Sequence, residues 1–263
     1  MFLLLRRMCE DPKISIITVA FNSQSTIKHT VESVNSQDYT NIEYILIDGA
    51  STDWTLDVLS HCNDKIDYFV SEKDNGIYDA MNKGIRAASG DIIGILNSDD
   101  FYFSNNILSS VAKVFKDTNC DCLYGDLVYV NKGDSRKTVR YWKSGEFKLA
   151  KLKRGWMLPH PTFFVKKEIY EKYGLYNTTL RSAADYEMIL RLLHKNDISI
   201  QYIPKILIKM RIGGESNASF FNRLRGNNED NMAWDLNNLK KPRFIRFLKP
   251  LRKVQQFFLK PKV

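Results

Sequence analysis

DIIGILNSDDFY, residues 91–102, decides the fold class and the place of the chemistry. The apolar run at 92–96 has the make-up of an interior strand of a parallel sheet, buried on both faces. It stops on two adjacent carboxylates, Asp99 and Asp100. The carboxyl end of such a strand is where open α/β sheets bind ligands. Two neighbouring acids there repel one another unless a cation or a donor lies between them. A divalent metal, Mn²⁺ or Mg²⁺, answers that need, and Mg²⁺ held by one or two carboxylates commonly carries substrate phosphates as well. Asp99 and Asp100 are therefore candidate metal ligands. Capping of a helix that begins near residue 101 or 105 is the competing reading for either acid.

Working outward, residues 13–21, 43–47, 66–71 and 92–96 read as strands, and 25–36, 54–62 and 77–88 as helices between them. Strands alternating with helices point to βαβ units and a mainly parallel sheet flanked by helices. From about residue 119 the pattern becomes α+β. Residues 122–131 and 137–142 read as strands joined by a hairpin turn at 132–134. Residues 161–165 read as a further strand, 166–173 and 184–195 as helices, and 200–212 as a strand interrupted by Pro204. No linker separates the halves. The expected divisions are 12–118, 119–219 as a second half of the same domain, and a C-terminal tail at 220–263.

The chain has 263 residues, enough for one large domain with ample core. No stretch of about 18 apolar residues is present, so no membrane-spanning helix is expected. The apolar stretch at residues 2–5 is short for a signal peptide and has its charges, Arg6 and Arg7, on the wrong side. Cys9, Cys62, Cys120 and Cys122 form no framework of disulfides or zinc ligands, which suits reduced thiols in the cytoplasm. The net charge of +9 is local: residues 240–263 hold nine Lys and Arg and no acid, and the remaining 239 residues balance. A nucleic-acid-binding domain would carry its positive stripe on the folded body, so nucleic acid is not an expected partner.

Neither a G-x-G-x-x-G turn nor a G-x-x-x-x-G-K-[ST] loop occurs, which argues against a nicotinamide dehydrogenase and a P-loop NTPase. The first strand instead ends in Phe21-Asn22-Ser23, and the second in Asp48-Gly49-Ala50-Ser51-Thr52-Asp53. Phe21 offers an aromatic surface to a base. Asp48 would accept from a base N–H or a ribose hydroxyl, or close an Asx turn.

Taken in order, PKISIITVAFNSQSTI, IEYILIDGASTDWT, DNGIYDAMNKGIRAASGDIIGILNSDD and AADYEMILRLL resemble glycosyltransferase family 2, the inverting transferases of GT-A fold. The likeness covers roughly residues 12–215 and is nearest to bacterial enzymes that build O-antigen, capsule or exopolysaccharide. It implies a Rossmann-like GT-A sheet with an α+β acceptor half, a metal cofactor, and a nucleotide-sugar donor, UDP-linked in the first instance. On the matching positions, Asp99 is the metal-binding carboxylate of the family's D-x-D motif, and Asp100 is a second ligand. Asn97 stands at the first D-x-D position as a weaker, neutral ligand or a ribose contact, and with Ser98 it is a candidate for donor binding. Phe21, Asn22, Asp48, Asp79 and Asn82 fall where the family approaches the donor. Gly49 replaces the second of two acids found in many members. Asp185 matches the general base, although Ala184 stands where the family commonly has Glu. The residue-level alternative for Asp185 is an N-cap of the helix that follows.

These residue types suit direct displacement at a sugar C1. The leaving diphosphate gains charge that a metal would neutralise. The sugar acquires oxocarbenium character. A carboxylate must take the proton of the attacking hydroxyl. Trp156 and His160 offer a sugar platform near the acceptor, or else a core tryptophan with a hydrogen-bonded histidine. Arg211 and the glycines after it would either close on the diphosphate or simply turn the chain. In the tail, Phe244, Phe247, Leu248 and Leu251 alternate with basic residues, a pattern suited to an anionic membrane surface. The expected location is therefore the inner face of the cytoplasmic membrane, with a lipid-linked saccharide as acceptor. The competing readings are a nucleotidyltransferase, which would need a glycine-rich loop where AFNSQST stands, and a catalytically silent scaffold.

Overall fold

The computed structural model describes residues 11–213, 220–242 and 256. The expected alternation is present: β1 (Ile14–Ala20), α1 (Ile27–Asn35), β2 (Ile42–Asp48), α2 (Thr55–Ser60), β3 (Tyr68–Ser71), α3 (Ile77–Ala87) and β4 (Ile92–Asn97). β1 lies between β2 and β4 and is parallel to both, with Ile14 opposite Ile42 on one side and Ile92 on the other. Side chains along a strand point alternately to opposite faces. Ile16, Leu46 and Leu96 accordingly join the core on one face, and Ile17, Ile47 and Ile95 the core on the other. Burial on both faces explains the nearly unbroken apolar runs.

The second half continues the same sheet. β5 (Asp100–Tyr102), α4 (Ile107–Thr118), β6 (Cys122–Val130), β7 (Thr138–Trp142), α5 (Leu149–Leu152), β8 (Phe164–Lys166), α6 (Lys167–Tyr173), α7 (Ala184–Leu190), β9 (Ile200–Arg211) and α8 (Phe220–Leu236) follow in order. The sheet runs β3-β2-β1-β4-β8-β6-β9-β5, with β7 paired to β6 as the expected hairpin. β8 is antiparallel to both β4 and β6. Gly94 is required at its crossing, because a Cβ there would strike the Phe164 ring. No described helix is long and apolar enough to cross a membrane. The described cysteines are free and buried.

Four features depart from the sequence reading. Asp100 begins a short strand, β5, which pairs antiparallel with the end of β9, so neither acid caps a helix at residue 101. Pro204 does not interrupt β9: the register against β6 shifts between Tyr124 and Asp126, and β5 reaches only to Ile208, so the missing N–H falls in a bulge on an otherwise open edge. The helix expected over 184–195 is α-helical only to Leu190 and continues as a π-turn over Arg191–Lys195. Finally, the division expected at residue 220 does not mark the end of the packed body. Ala233 and Trp234 of α8 are fully buried, and the Trp234 indole donates to Tyr186 Oη at 3.1 Å. Of the basic residues after α8, only Lys240 and Lys241 are described; the apolar positions of the proposed membrane face lie outside the described residues.

Candidate active site

β1, β2 and β4 deliver their last residues to one edge of the sheet. There the loop after β1 is laced to the loop after β2: Asn22 N donates to Ser51 Oγ at 2.8 Å, Thr52 N to Asn22 Oδ1 at 2.9 Å, and Ser23 N to Thr55 Oγ1 at 2.7 Å. Asn22 adopts φ 47°, a left-handed conformation that asparagine tolerates better than most residues. Its side chain is thereby committed to loop geometry. Asp48 is fully buried, and its carboxylate accepts Ser51 N, Ser51 Oγ and Ser71 Oγ at 2.9, 2.5 and 2.7 Å. Phe21 is open at the lip, 57% exposed, next to the exposed Asn22.

Gly49, the departure from a paired acid, has a physical counterpart. A Cβ at Gly49 would run into Asp74 Oδ2, with the Phe21 ring on its other side. The Asp74 carboxylate thus occupies space beside the lip that a second acid at position 49 would take. Its other oxygen accepts Gly76 N at 2.8 Å. In the sequence Asp74 had no distinction beyond a turn before a helix.

The acid pair at the end of β4 differs from Asp48 in being incompletely satisfied. Asp100 is fully buried. Its Oδ2 accepts Asn97 Nδ2 at 3.3 Å, whereas Asp100 Oδ1 and Asn97 Oδ1 are buried with no donor. Burial, then the charge of Asp99, pushes the Asp100 carboxyl well above the usual range, against Asn97 and Arg211. Burial raises Asp99 as well, with Arg211 and Lys132 opposing. Ser98, between them and Asn97, shares a hydrogen with Ser23 Oγ at 2.7 Å. Arg211 donates to the Asp99 carbonyl and to His29 Nδ1, both at 2.5 Å, and its guanidinium lies 4.6 Å over the Phe101 ring. Among the described residues no three His, Cys, Asp or Glu side chains converge on one point. The donor set on offer is two carboxylates and an amide oxygen, with two buried acceptors lacking partners. Hard oxygens of this kind suit Mg²⁺ or Mn²⁺ by their chemistry, and dedicated protein ligands seldom enclose such an ion completely.

Asp185 is the second residue of α7 and not its N-cap, which is Ala183. The half-buried carboxylate accepts Tyr78 Oη at 3.1 Å and Tyr186 N at 2.8 Å, both on Oδ1. Tyr78 comes from α3, on the donor half, and stacks on Tyr176 at 5.6 Å. His160 Nε2 is 2.6 Å from Tyr176 Oη, and burial lowers the His160 pKa, with Asp185 opposing. His160 is therefore linked to Asp185 through two tyrosines, Tyr176 and Tyr78.

Three other candidates have polar atoms engaged by the protein itself. Asn82 is 3% exposed, and its amide accepts Tyr176 N and donates to Tyr176 O, each at 2.9 Å. It clamps the segment that carries Tyr176 and does not face a donor. Asp79 sits in the first turn of α3 and accepts Asn75 N at 3.0 Å, closing the turn before the helix. Trp156 is 8% exposed, packs edge-on to Tyr124 and donates to Ser144 O at 3.2 Å. It is a core tryptophan, not an exposed sugar platform. Tyr78 was missed from sequence, although Tyr78, Asn82 and Ile85 share a helical face and Tyr78 lies inside the quoted DNGIYDAMNKG stretch.

Residues 15–174 match the sequence model described as Glycosyl transferase family 2. An uncharacterized glycosyltransferase of Mycobacterium tuberculosis is 33% identical over 195 residues, 70% of either chain. A PGL/p-HBAD biosynthesis glycosyltransferase of Mycobacterium bovis is 28% identical over 212 residues, 78% of this chain and 80% of that one. Among solved structures, S. aureus TarS 1-349 in complex with UDP-GlcNAc superposes with a TM-score of 0.68 at 19% identity, covering 86% of this chain. This chain spans 65% of that TarS fragment. The mannosyltransferase PcManGT from Pyrobaculum calidifontis, in complex with GDP-Man and Mn²⁺, gives 0.64 at 18% identity over 96% of this chain and 71% of that one. At such identities the two structures speak for the GT-A fold. The family match and the relatives go further, and with them the chain belongs to glycosyltransferase family 2 and is a glycosyltransferase.

Proposed function

We propose that this enzyme transfers a sugar, with inversion, from a UDP-sugar to a hydroxyl of a lipid-linked saccharide during surface-polysaccharide assembly. The observation that carries the reading is the pair of unsatisfied buried acceptors, Asn97 Oδ1 and Asp100 Oδ1, beside Asp99 at the end of β4. Phe21 and Asp74 would face the nucleoside, the ring by stacking and the carboxylate by accepting a base or ribose hydrogen. Asn22 and Asp48 support that lip from beneath. Asn97, Asp99 and Asp100 would hold Mn²⁺ or Mg²⁺, which when bound offsets the charge of the diphosphate. Arg211 adds a fixed positive charge to the same place, a preorganised complement to a leaving group that grows more negative.

Asp185 would accept the proton of the attacking hydroxyl. Tyr78 and Tyr186 both donate to Oδ1, which leaves Oδ2 to receive it. One base on the acceptor face is sufficient for direct displacement, with no covalent intermediate on the protein. His160 lies close enough to line the acceptor side. Residues 240–263 would hold the enzyme at an anionic bilayer, where each basic residue contributes about 1 kcal/mol before screening. The TarS complex with UDP-GlcNAc supports a UDP-sugar donor; the GDP-Man complex of PcManGT makes GDP-sugars the alternative to test.

The test is nucleoside diphosphate release from a panel of UDP- and GDP-sugars, with and without Mn²⁺, using alkyl glycosides as soluble acceptors. Release from UDP-sugars that depends on metal and acceptor is expected. Turnover unaffected by a chelator would remove the metal from the reading, and turnover on GDP-sugars alone would replace the donor.

A further inference from the structure

Glu229 belongs to α8, outside every motif that resembles the family, and is 8% exposed. Its carboxylate accepts three consecutive main-chain N–H groups: Arg181 on Oε1 at 3.2 Å, and Ser182 and Ala183 on Oε2 at 2.6 and 3.0 Å. The chain then enters α7, with Asp185 two residues beyond Ala183. Hydrogen bonds from amides to a carboxylate are about twice as strong as neutral ones, and three in a row fix a backbone path. A hydroxyl or an amide side chain has one acceptor oxygen and cannot take all three.

The carrier of Glu229 is itself immobilised. Trp234 is fully buried and donates to Tyr186 Oη. Asn237 Nδ2 donates to Glu187 Oε1 at 3.1 Å, while Arg191 Nε and Nη2 meet Glu187 at 3.1 and 3.0 Å. α8 therefore grips α7 along its side while Glu229 grips the chain entering it. From the opposite direction Tyr78 Oη holds Asp185 Oδ1. The phenol is well above its ordinary pKa, through burial first and then Asp185, with Glu229 also contributing, so it remains a donor.

We infer that Glu229 is a positioning residue for Asp185: it sets the course of residues 181–183 and thereby where the Asp185 carboxylate stands, without touching the reacting groups. The inference rests on the reading of Asp185 as the general base. A displacement of about 1 Å in a catalytic group costs up to about a hundredfold in rate, so loosening this segment should act on kcat and spare the donor site on β1, β2 and β4.

The experiment compares Glu229→Gln, Glu229→Asp, Asp185→Asn and the double variant Asp185→Asn/Glu229→Gln in the full chain. Each is measured for kcat and donor KM by nucleoside diphosphate release, and for UDP and GDP affinity with Mn²⁺ by calorimetry. Glu229→Gln is expected to lower kcat tenfold or more, with donor KM and nucleotide affinity within twofold of wild type. Glu229→Asp, which keeps the charge on a shorter arm, should fall between. In the double variant the Glu229 change should add no further loss to that of Asp185→Asn. Wild-type kcat in Glu229→Gln, a loss confined to donor KM, or losses that multiply in the double variant would overturn the inference. Asp185→Asn that keeps its turnover overturns the base assignment instead, whatever Glu229→Gln does. If Glu229→Gln does not fold, Glu229→Asp decides: an intermediate kcat supports the inference and a wild-type kcat overturns it.

Discussion

The two ends of the parallel strands β1, β2 and β4 carry buried or half-buried acids, and they are treated in opposite ways. At the amino end, Glu43 receives Ser15 Oγ and Ser89 Oγ at 2.5 Å, Ser89 N at 2.7 Å and Lys13 Nζ at 3.1 Å. Burial opposes its ionisation, but the bonds from Ser15, Ser89 and Lys13 outweigh burial and hold its carboxyl down at about 2. At the carboxyl end, Asp99 and Asp100 stand side by side with raised carboxyls and an oxygen without a donor. The first arrangement stabilises the fold. The second costs stability, and an acid left in that condition needs an explanation, which the proposed metal would supply.

The largest effect on turnover is expected at the second end. Asp99→Asn should abolish Mn²⁺-dependent binding of UDP, read by calorimetry, and reduce turnover by about a hundredfold or more, the range for loss of one strong electrostatic stabiliser. Asp100→Asn should do the same while raising the melting temperature, because burial and the neighbouring Asp99 no longer act against an ionisable group there. A variant less stable than wild type would break the contrast between the two ends.

Tyr78→Phe comes next. It deletes one of two donors to Asp185 and leaves the ring stack on Tyr176 in place, so kcat should drop by about tenfold, the scale of one hydrogen bond of about 1.5 kcal/mol to a charged group. Donor affinity should not move. An equal fall in UDP binding would place Tyr78 in the donor site.

Glu43→Gln should leave turnover at saturating donor unaltered and destabilise the fold by about 2 kcal/mol at pH 7, after allowance for solvent screening. The folded carboxyl lies below its unfolded value of 4.5, so this stabilisation is present above pH 4.5 and is lost as pH falls towards 2. Denaturant melts of wild type and variant should converge over that interval. A constant difference across it would mean that packing, not charge, is what Glu43 contributes.

Ending the chain at Leu239 should likewise leave turnover with a soluble acceptor unaltered, since Glu229, Trp234 and Asn237 are retained. Co-sedimentation with anionic vesicles should be lost in the same variant. Vesicle binding at the wild-type level would remove the membrane role from residues 240–263.

The sequence by itself determined the alternation of β1 to β4 with their helices, the parallel sheet, and the placing of Phe21, Asp48 and Asp99 at one edge. Those are consequences of local periodicity and of residue type at strand ends, and burial on both faces leaves an unmistakable apolar run. Only the tertiary structure decided which polar side chains are free. Asn82 and Trp156 have the residue types of a binding site, yet one is turned onto the main chain of Tyr176, 94 residues away, and the other into the core. Conversely Tyr78, 107 residues from Asp185, and Glu229, 46 to 48 residues from the amides it holds, owe the roles proposed for them to contacts that no local pattern encodes. Whether a side chain is satisfied by its own protein or left to meet a substrate depends on what packs against it, and that is settled only when distant segments of the chain come together.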